Sequence, residues 1–327
     1  MAKLTDSWEL EGITVPNRVL LAPLAGIGNW FVRLQAHRHG AGMAFSEMVS
    51  SHAIHHGNEK TINEMLRLHP DEGIVSLQLF GQDPEIMRSA ARYVAENTAA
   101  NVIDLNMGCP VPKVCKTGAG AALLKDPETA IAVTQAAREG SGLPVTVKIR
   151  SGSTQGDRSG FDLAHRLVDE GGAAAISFHP RSAKVHHKGV PDYDLAKELA
   201  ASLNAPMILT GGLRSPGEVR RAFDHVQPAA VMLARGSLGN PWLFDQLLED
   251  RVEEAGRDEV LTELDWVMDC AAEHLGAERA GRYLRKFYPW YVQRLQGDRA
   301  TQDALQRSES LSEARAILGI EKIPAVA

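Results

Sequence analysis

Cysteine is scarce: Cys109, Cys115 and Cys270 are the only three among 327 residues. They form no paired framework, which excludes a disulfide-stapled fold and suits a reducing compartment. The C-x5-C spacing of the first two is not a metal signature. Long apolar runs are lacking as well. None approaches the roughly 20 residues that span a bilayer, and the opening "MAKLTDSWELEG" is too acidic and polar for a signal peptide. The expected setting is the cytoplasm, with no membrane contact and no protein partner implied. Net positive charge is also missing, at −6 formally. That excludes a protein coated in positive charge, but phosphate contact needs only a local basic surface. There is no repeat of solenoid period and no low-complexity tract. No GxGxxG follows the first strand-like run, as a dinucleotide fold would require.

What is present is a rhythm. Short apolar, β-branched runs recur at 18–24, 43–49, 74–80, 101–106, 144–150, 174–180, 206–212 and 230–236. Between them lie amphipathic segments such as "PETAIAVTQAAREG" and "FDLAHRLVDEGG". Continuous apolar strands alternating with helices indicate a parallel sheet covered on both faces. "QDPEI", "KDPET" and "LRSPGE" each place Asp or Ser before Pro, an N-cap followed by proline in the first turn. Glycines close helices in "REGSG" and "DEGG". Eight such units within residues 1–245 predict a (β/α)8 TIM barrel. The strand rhythm then stops, and residues 250–327 read as a small C-terminal all-helical domain. Its segments are "EVLTELDWVMDCAAEHLG", "ERAGRYLRKFYPWYVQRL" and "LSEARAILGI".

Active sites of such barrels lie at the C-terminal strand ends. Those ends carry Pro23 and Leu24 after Ala22, Glu47, Gln78, Asn106 and Cys109, Lys148 and Arg150, His179 and Arg181, Gly211 and Gly212, and Arg235 and Gly236. So many polar groups on one rim imply a polar ligand. The last two strands end in "TGG" and "ARG", where backbone N–H groups, helix N-termini and Arg235 suit a phosphate. Glycine also serves simply to make turns; two adjacent loops together favour phosphate. Lys148 is placed to stabilise negative charge on a reduced ring system, with Gln78 and the backbone after Pro23 at the ring edge. Cys109 is either a small buried hydrophobe or, at a strand tip before a long loop, a functional thiol. Cys115 and Cys270 are read as packing residues, and His52, His55 and His56 as a solvated loop.

The chain resembles the bacterial tRNA-dihydrouridine synthases. The resemblance runs through "LAPLAGI", "FSEMVSS", "LQLFG", "DLNMGCPVPKVCKTGAGAALLKDP", "VTVKIR", "HPRS", "TGGL", "ARGSLGNPWLF" and "GRYLRKFYPWY". It implies an FMN enzyme that NADPH reduces and that then reduces a uridine flipped out of tRNA, with hydride to C6 and a proton to C5. Carried over by position, Cys109 is the general acid. Asn106, Lys148, His179 and Arg181 line the uracil and flavin pocket. Pro23, Leu24, Gln78, Gly211, Gly212, Arg235 and Gly236 hold FMN, its phosphate lying on the last three. The sequence departs from the family at Pro180, where a glycine is usual, and at Thr210, where an asparagine is common.

Basic residues gather where RNA would approach. Lys113 and Lys116 follow Cys109, and Lys184, His186, His187 and Lys188 follow Arg181. In the tail, Arg282, Arg285 and Lys286 have the spacing of one helical face, which suits RNA phosphates. Tyr283 or Tyr288 is placed to touch exposed bases, while Phe287, Trp290 and Tyr291 are expected in the tail's core. Two other readings compete: an FMN barrel that reduces a small molecule such as a free pyrimidine, and an RNA-binding protein without redox activity.

Overall fold

The computed structural model describes residues 2–249 and 251–320; residues 250 and 321–327 of the expected tail lie outside them. The chain opens on an antiparallel hairpin, β1 (Trp8–Leu10) and β2 (Ile13–Val15). Glu11 and Gly12 turn it at positive φ, 45° and 86°, as a two-residue hairpin needs. The parallel strands follow: β3 (Val19–Leu21), β4 (Met43–Phe45), the short β5 (Val49–Ser50), β6 (Val75–Phe80), β7 (Val102–Met107), β8 (Val145–Arg150), β9 (Ala175–His179), β10 (Met207–Thr210) and β11 (Ala230–Leu233). β3 pairs with β4, β4 with β6, each strand from β6 to β10 with the next, and β11 with β3, so eight strands close the expected barrel with β5 annexed to β6. Trp8, Leu10 and Val15 pack against Leu20, Met43, Val102 and Ile208 at the strand starts. The hairpin therefore plugs the bottom, and access is from the top.

The helices are α1 (Trp30–Arg38), α2 (Ser51–His55), α3 (Pro84–Asn97), α4 (Pro112–Cys115), α5 (Pro127–Ser141), α6 (Ser159–Asp169), α7 (Tyr193–Ser202), α8 (Pro216–Val226) and α9 (Trp242–Leu248). The caps are those expected: Asp83, Asp126 and Ser215 accept first-turn N–H groups ahead of Pro84, Pro127 and Pro216, and Gly142 closes α5 at φ 66°. Two expectations are corrected. The run 43–49 is not one strand, because after the Ser46 N–H bonds to Ser76 O on β6 the chain leaves the ladder and the Glu47 N–H bonds to Gly28 O. His52, His55 and His56 are not in a loop but on α2 and its C-cap, where Ser50 caps the helix by accepting from the Ala53 N–H.

The tail comprises α10 (Arg257–Leu275), α11 (Ala277–Leu284), α12 (Tyr288–Arg294), α13 (Arg299–Arg307) and α14 (Leu311–Leu318). The single helix expected over 278–295 is two. Pro289 has no N–H for the carbonyl of Arg285, and Gln306 Nε2 donates to that oxygen instead, at 2.6 Å. The tail shares one apolar core with the barrel helices, Phe31 of α1 packing with Tyr283 and Phe287. Beneath it, Gln35 Nε2 donates to Glu263 and to the Tyr291 hydroxyl, at 2.9 and 3.0 Å. Arg33 and Glu72 form a buried, two-pronged ion pair at 2.6 and 3.1 Å. No helix among the described residues is long and apolar enough to cross a membrane.

Candidate active site

The upper interior of the barrel is polar, against the apolar reading of its strands. Ser76 and Gln78 on β6, Asp104 on β7, Thr146 on β8 and Ser177 on β9 are all buried. Strand residues alternate between faces, so these share the inward face of their strands with Asn106, Lys148 and His179. A cavity of about 450 Å³ opens above them. It brings together the barrel residues expected at the site, except that Glu47 lines a neighbouring cavity instead: Pro23, Leu24 and Gln78, with Asn106, Cys109 and Lys148. His179 and Arg181, then Gly211, Gly212, Arg235 and Gly236, complete the rim.

Cys109 owes its position to local geometry. Its N–H and that of Gly108 donate to Asn106 Oδ1, at 2.9 and 3.3 Å. Its carbonyl accepts from the Ala121 N–H at 3.0 Å and from the Cys115 thiol at 3.3 Å. Gly120, at φ 63°, lets this turn close up, since a Cβ there would stand 2.8 Å from Cys109 O. Arg150 clips the same loop through Gly108 O at 2.9 Å and reaches His186 O at 2.7 Å. Burial, with the Cys115 thiol adding to it, pushes the Cys109 thiol above its ordinary pKa. The group is a protonated thiol at neutral pH.

The Lys148 ammonium has no hydrogen-bond partner among the described residues, while its backbone lies in the ladder between β7 and β9. Burial, and then the Arg150 guanidinium, hold it down to about 8. Burial and the neighbouring cations Lys148, Arg150 and Arg181 keep His179 neutral, well below the usual histidine range. Arg181 Nη1 lies 3.2 Å from His179 Nε2. A guanidinium only donates, so the imidazole proton sits on Nδ1.

The two glycine loops form a cradle that side chains would fill. Gly211 and Gly212 have φ of 100° and 83°. A Cβ on Gly211 would meet His179 Cδ2 at 2.4 Å, and one on Gly212 the Tyr193 hydroxyl at 2.6 Å. A Cβ on Gly236 would meet Leu213 O at 2.6 Å. Arg214 and Arg235 stand exposed beside this cradle. Each cation of this cluster depresses the next: burial first, then Arg214, lowers Arg235, and both act on Arg181. Uncompensated arginines over open backbone await an anion. The departures from the family pattern are accommodated: Thr210 Oγ1 donates to Met232 O at 3.0 Å, and Pro180 O accepts the Asp192 N–H at 2.8 Å.

The tail residues behave differently from the expected basic face. α11 ends at Leu284, and Arg285 turns inward to donate to Ser308 O at 2.7 Å. Arg282 pairs with Glu278 at 2.7 Å, and Arg279 with Glu64 at 2.8 Å. Lys286 remains exposed, donating to Gly26 O at 3.1 Å and lying 4.6 Å from the Tyr283 ring centre. With Arg282 it lines a second cavity of about 360 Å³. Gly26 sits between Ala25 and Ile27, which line the mouth, so the two cavities share that wall. Tyr288 is fully buried and cannot touch a base. Trp290, expected in the core, is half-buried and lines the barrel mouth, admitted by Gly239, whose Cβ would meet it at 2.8 Å. Phe287 and Tyr291 are core, and Cys270 packs within α10, as expected. Asp104, Thr146, Arg214 and Trp290 escaped the sequence reading. Only the period-2 spacings of Asp104 with Asn106 and of Thr146 with Lys148 carried a signal for any of them.

Residues 20–325 match the family model described as dihydrouridine synthase. The chain is similar to proteins named tRNA-dihydrouridine synthase B. The one from Shewanella oneidensis is 34% identical, covering 84% of this chain and 86% of that protein. That from Pasteurella multocida is 34% identical, covering 86% and 85%, and that from Pseudomonas aeruginosa 32%, covering 88% and 87%. Among solved structures, morphinone reductase in complex with tetrahydroNAD superposes with a TM-score of 0.55 at 16% identity, covering 80% of this chain and 94% of that one. 2-Naphthoyl-CoA reductase gives 0.59 at 13% identity, covering 77% and 53%. These two share the barrel fold.

Proposed function

The chain belongs to the dihydrouridine synthase family, and from that premise we propose that it is an FMN-dependent tRNA-dihydrouridine synthase of the cytoplasm that takes its reducing equivalents from NADPH. One observation carries the reading: a thiol kept protonated by burial lines the same cavity as an arginine-glycine anion cradle. The cradle fits FMN. Gly211, Gly212 and Gly236 offer backbone without side chains, and Arg235, joined by Arg214, supplies charge for the phosphate. Pro23, Leu24, Gln78, Lys148 and His179 would hold the ring system. Bound there, FMN would supply hydride to C6 of the uracil.

The protein's own groups do the rest. Lys148, cationic below about 8, offsets negative charge that develops in the site. Asn106, neutral His179 and Arg181 offer hydrogen bonds to the base. Cys109 donates its proton to C5 as the C5–C6 double bond is consumed, and solvent restores the thiol. A thiol held above its ordinary pKa keeps that proton at neutral pH, and its release is matched to a carbon base formed only in the reaction. The uridine must leave its stack to reach this depth. Lys113, Lys116, Lys184 and Lys188 around the mouth, exposed and without ion pairs among the described residues, together with Arg282 and Lys286, meet the RNA phosphates. Arg285 supports the tail instead.

The test is anaerobic reduction by NADPH followed by tRNA lacking the modification. Flavin reoxidation with dihydrouridine in the nucleoside digest is the expected result. Reduction without RNA-dependent reoxidation would turn the assignment toward a small-molecule reductase.

A further inference from the structure

Asp104 is wholly buried inside the barrel, two residues below Asn106 on β7. A carboxylate there is costly unless its oxygens are satisfied. Both are: Oδ1 accepts from Thr146 Oγ1 and Oδ2 from Gln78 Nε2, each at 2.6 Å. From Gln78 the bonds continue upward. Asn106 Nδ2 donates to Gln78 Oε1 at 2.9 Å, and the N–H groups of Cys109 and Gly108 donate to Asn106 Oδ1. Every link runs in one direction, from the backbone of Cys109 down to the carboxylate. A backbone N–H only donates, so Asn106 Oδ1 must accept, Asn106 Nδ2 must donate to Gln78 Oε1, and Gln78 Nε2 must donate to Asp104: both intervening amides are held in a single flip. The oxygen of Asn106 is filled by two N–H groups. What Asn106 offers a ligand is therefore its second N–H, a donor.

We propose that Asp104 is a positioning residue for the reaction: it anchors the acceptor end of a hydrogen-bond chain that fixes the flips of Gln78 and Asn106 and holds Cys109 at the strand tip. This rests on the function proposed above. The consequence for specificity is that the ring edge meeting Asn106 presents an acceptor, a pyrimidine carbonyl, and not an exocyclic amine.

Two substitutions separate anchoring from mere filling of space. Asp104→Asn keeps an oxygen for Gln78 and turns its amide N–H toward Thr146 Oγ1, which accepts equally well. Asp104→Leu keeps the branched side-chain skeleton, with methyl groups somewhat larger than the oxygens, and removes the acceptor. In the holoenzyme, Asp104→Asn retains kcat within about threefold, while Asp104→Leu lowers it by about 30-fold with KM for tRNA within about twofold, as misplacement of a reacting group does. The rate of Cys109 alkylation by iodoacetamide, followed by peptide mass mapping, changes by about threefold or more in the leucine variant alone, because thiol reactivity follows its surroundings. If Asp104→Leu fails to fold, Gln78→Met breaks the same link and is held to the same readouts, with flavin content measured. Wild-type kcat and alkylation in the link-broken variant, or an equal fall in Asp104→Asn, would overturn the proposal. The alkylation comparison stands even if the wild type forms no dihydrouridine, so failure of the relay and failure of the assigned reaction are told apart.

Discussion

Gly211→Ala adds one methyl group at the phosphate cradle, and the structure allows its cost to be worked out. Gly211 sits at φ 100°, a backbone state that costs a side-chain-bearing residue about 1–3 kcal/mol. The new Cβ would lie 2.4 Å from His179 Cδ2, so the imidazole has to move. Moving it disrupts the contact with Arg181 Nη1, worth about 1 kcal/mol. The loss of stability is then about 2–4 kcal/mol, with weaker flavin retention because the ring and the cradle shift together. Gly217→Ala, six residues on, is the same chemical change with the opposite sign. Gly217 is exposed in the first turn of α8, and a Cβ there meets only the mobile guanidinium of Arg221, at 3.3 Å. An alanine is expected to stabilise by up to about 1 kcal/mol. Urea unfolding of both variants, with flavin content alongside, measures the contrast. Equal stability of Gly211→Ala and wild type would refute the reasoning about the cradle.

Other expectations follow from the same geometry. Lys148 is protonated below about 8, so its charge, and the rate it supports, is full below that pH and declines as pH rises through it; a pH profile shows the step, and Lys148→Met abolishes it. Lys286→Ala weakens tRNA binding and reduces the slope of log affinity against log salt by about 1, whereas Arg285→Ala, losing the bond to Ser308 O, lowers thermal stability and leaves that slope unchanged. Glu72→Ala strands the buried Arg33 guanidinium at a cost of about 3–5 kcal/mol, read by denaturant unfolding.

The barrel was legible because its strands are apolar and its helices announce themselves: Asp83, Asp126 and Ser215 each precede a proline. The rim was legible because a barrel's chemistry lies at strand ends, and Asn106, Cys109, Lys148 and His179 sit there. Three things were not. The polar interior was hidden because Asp104 and Thr146 stand alone in apolar runs, and only their mutual hydrogen bond explains them. The tail's basic face was overestimated because helical spacing does not show where its members bond: Arg285 reaches a carbonyl 23 residues on, at Ser308, and Arg282 pairs with Glu278 of its own helix. The break at Pro289 was masked by strong helical spacing on both sides, and the placement of Trp290 at the mouth depends on Gly239, a contact between the barrel and the tail.

The central claim is that Cys109 delivers the proton to C5. Its most direct test is a single turnover: enzyme reduced anaerobically with NADPH, mixed with unmodified tRNA, and followed by flavin absorbance and nucleoside digest for wild type and Cys109→Ala. The account predicts flavin retention in the variant and dihydrouridine formation slower by about 10²–10⁴-fold, the usual contribution of a positioned general acid. Dihydrouridine appearing in Cys109→Ala at the wild-type rate would contradict it.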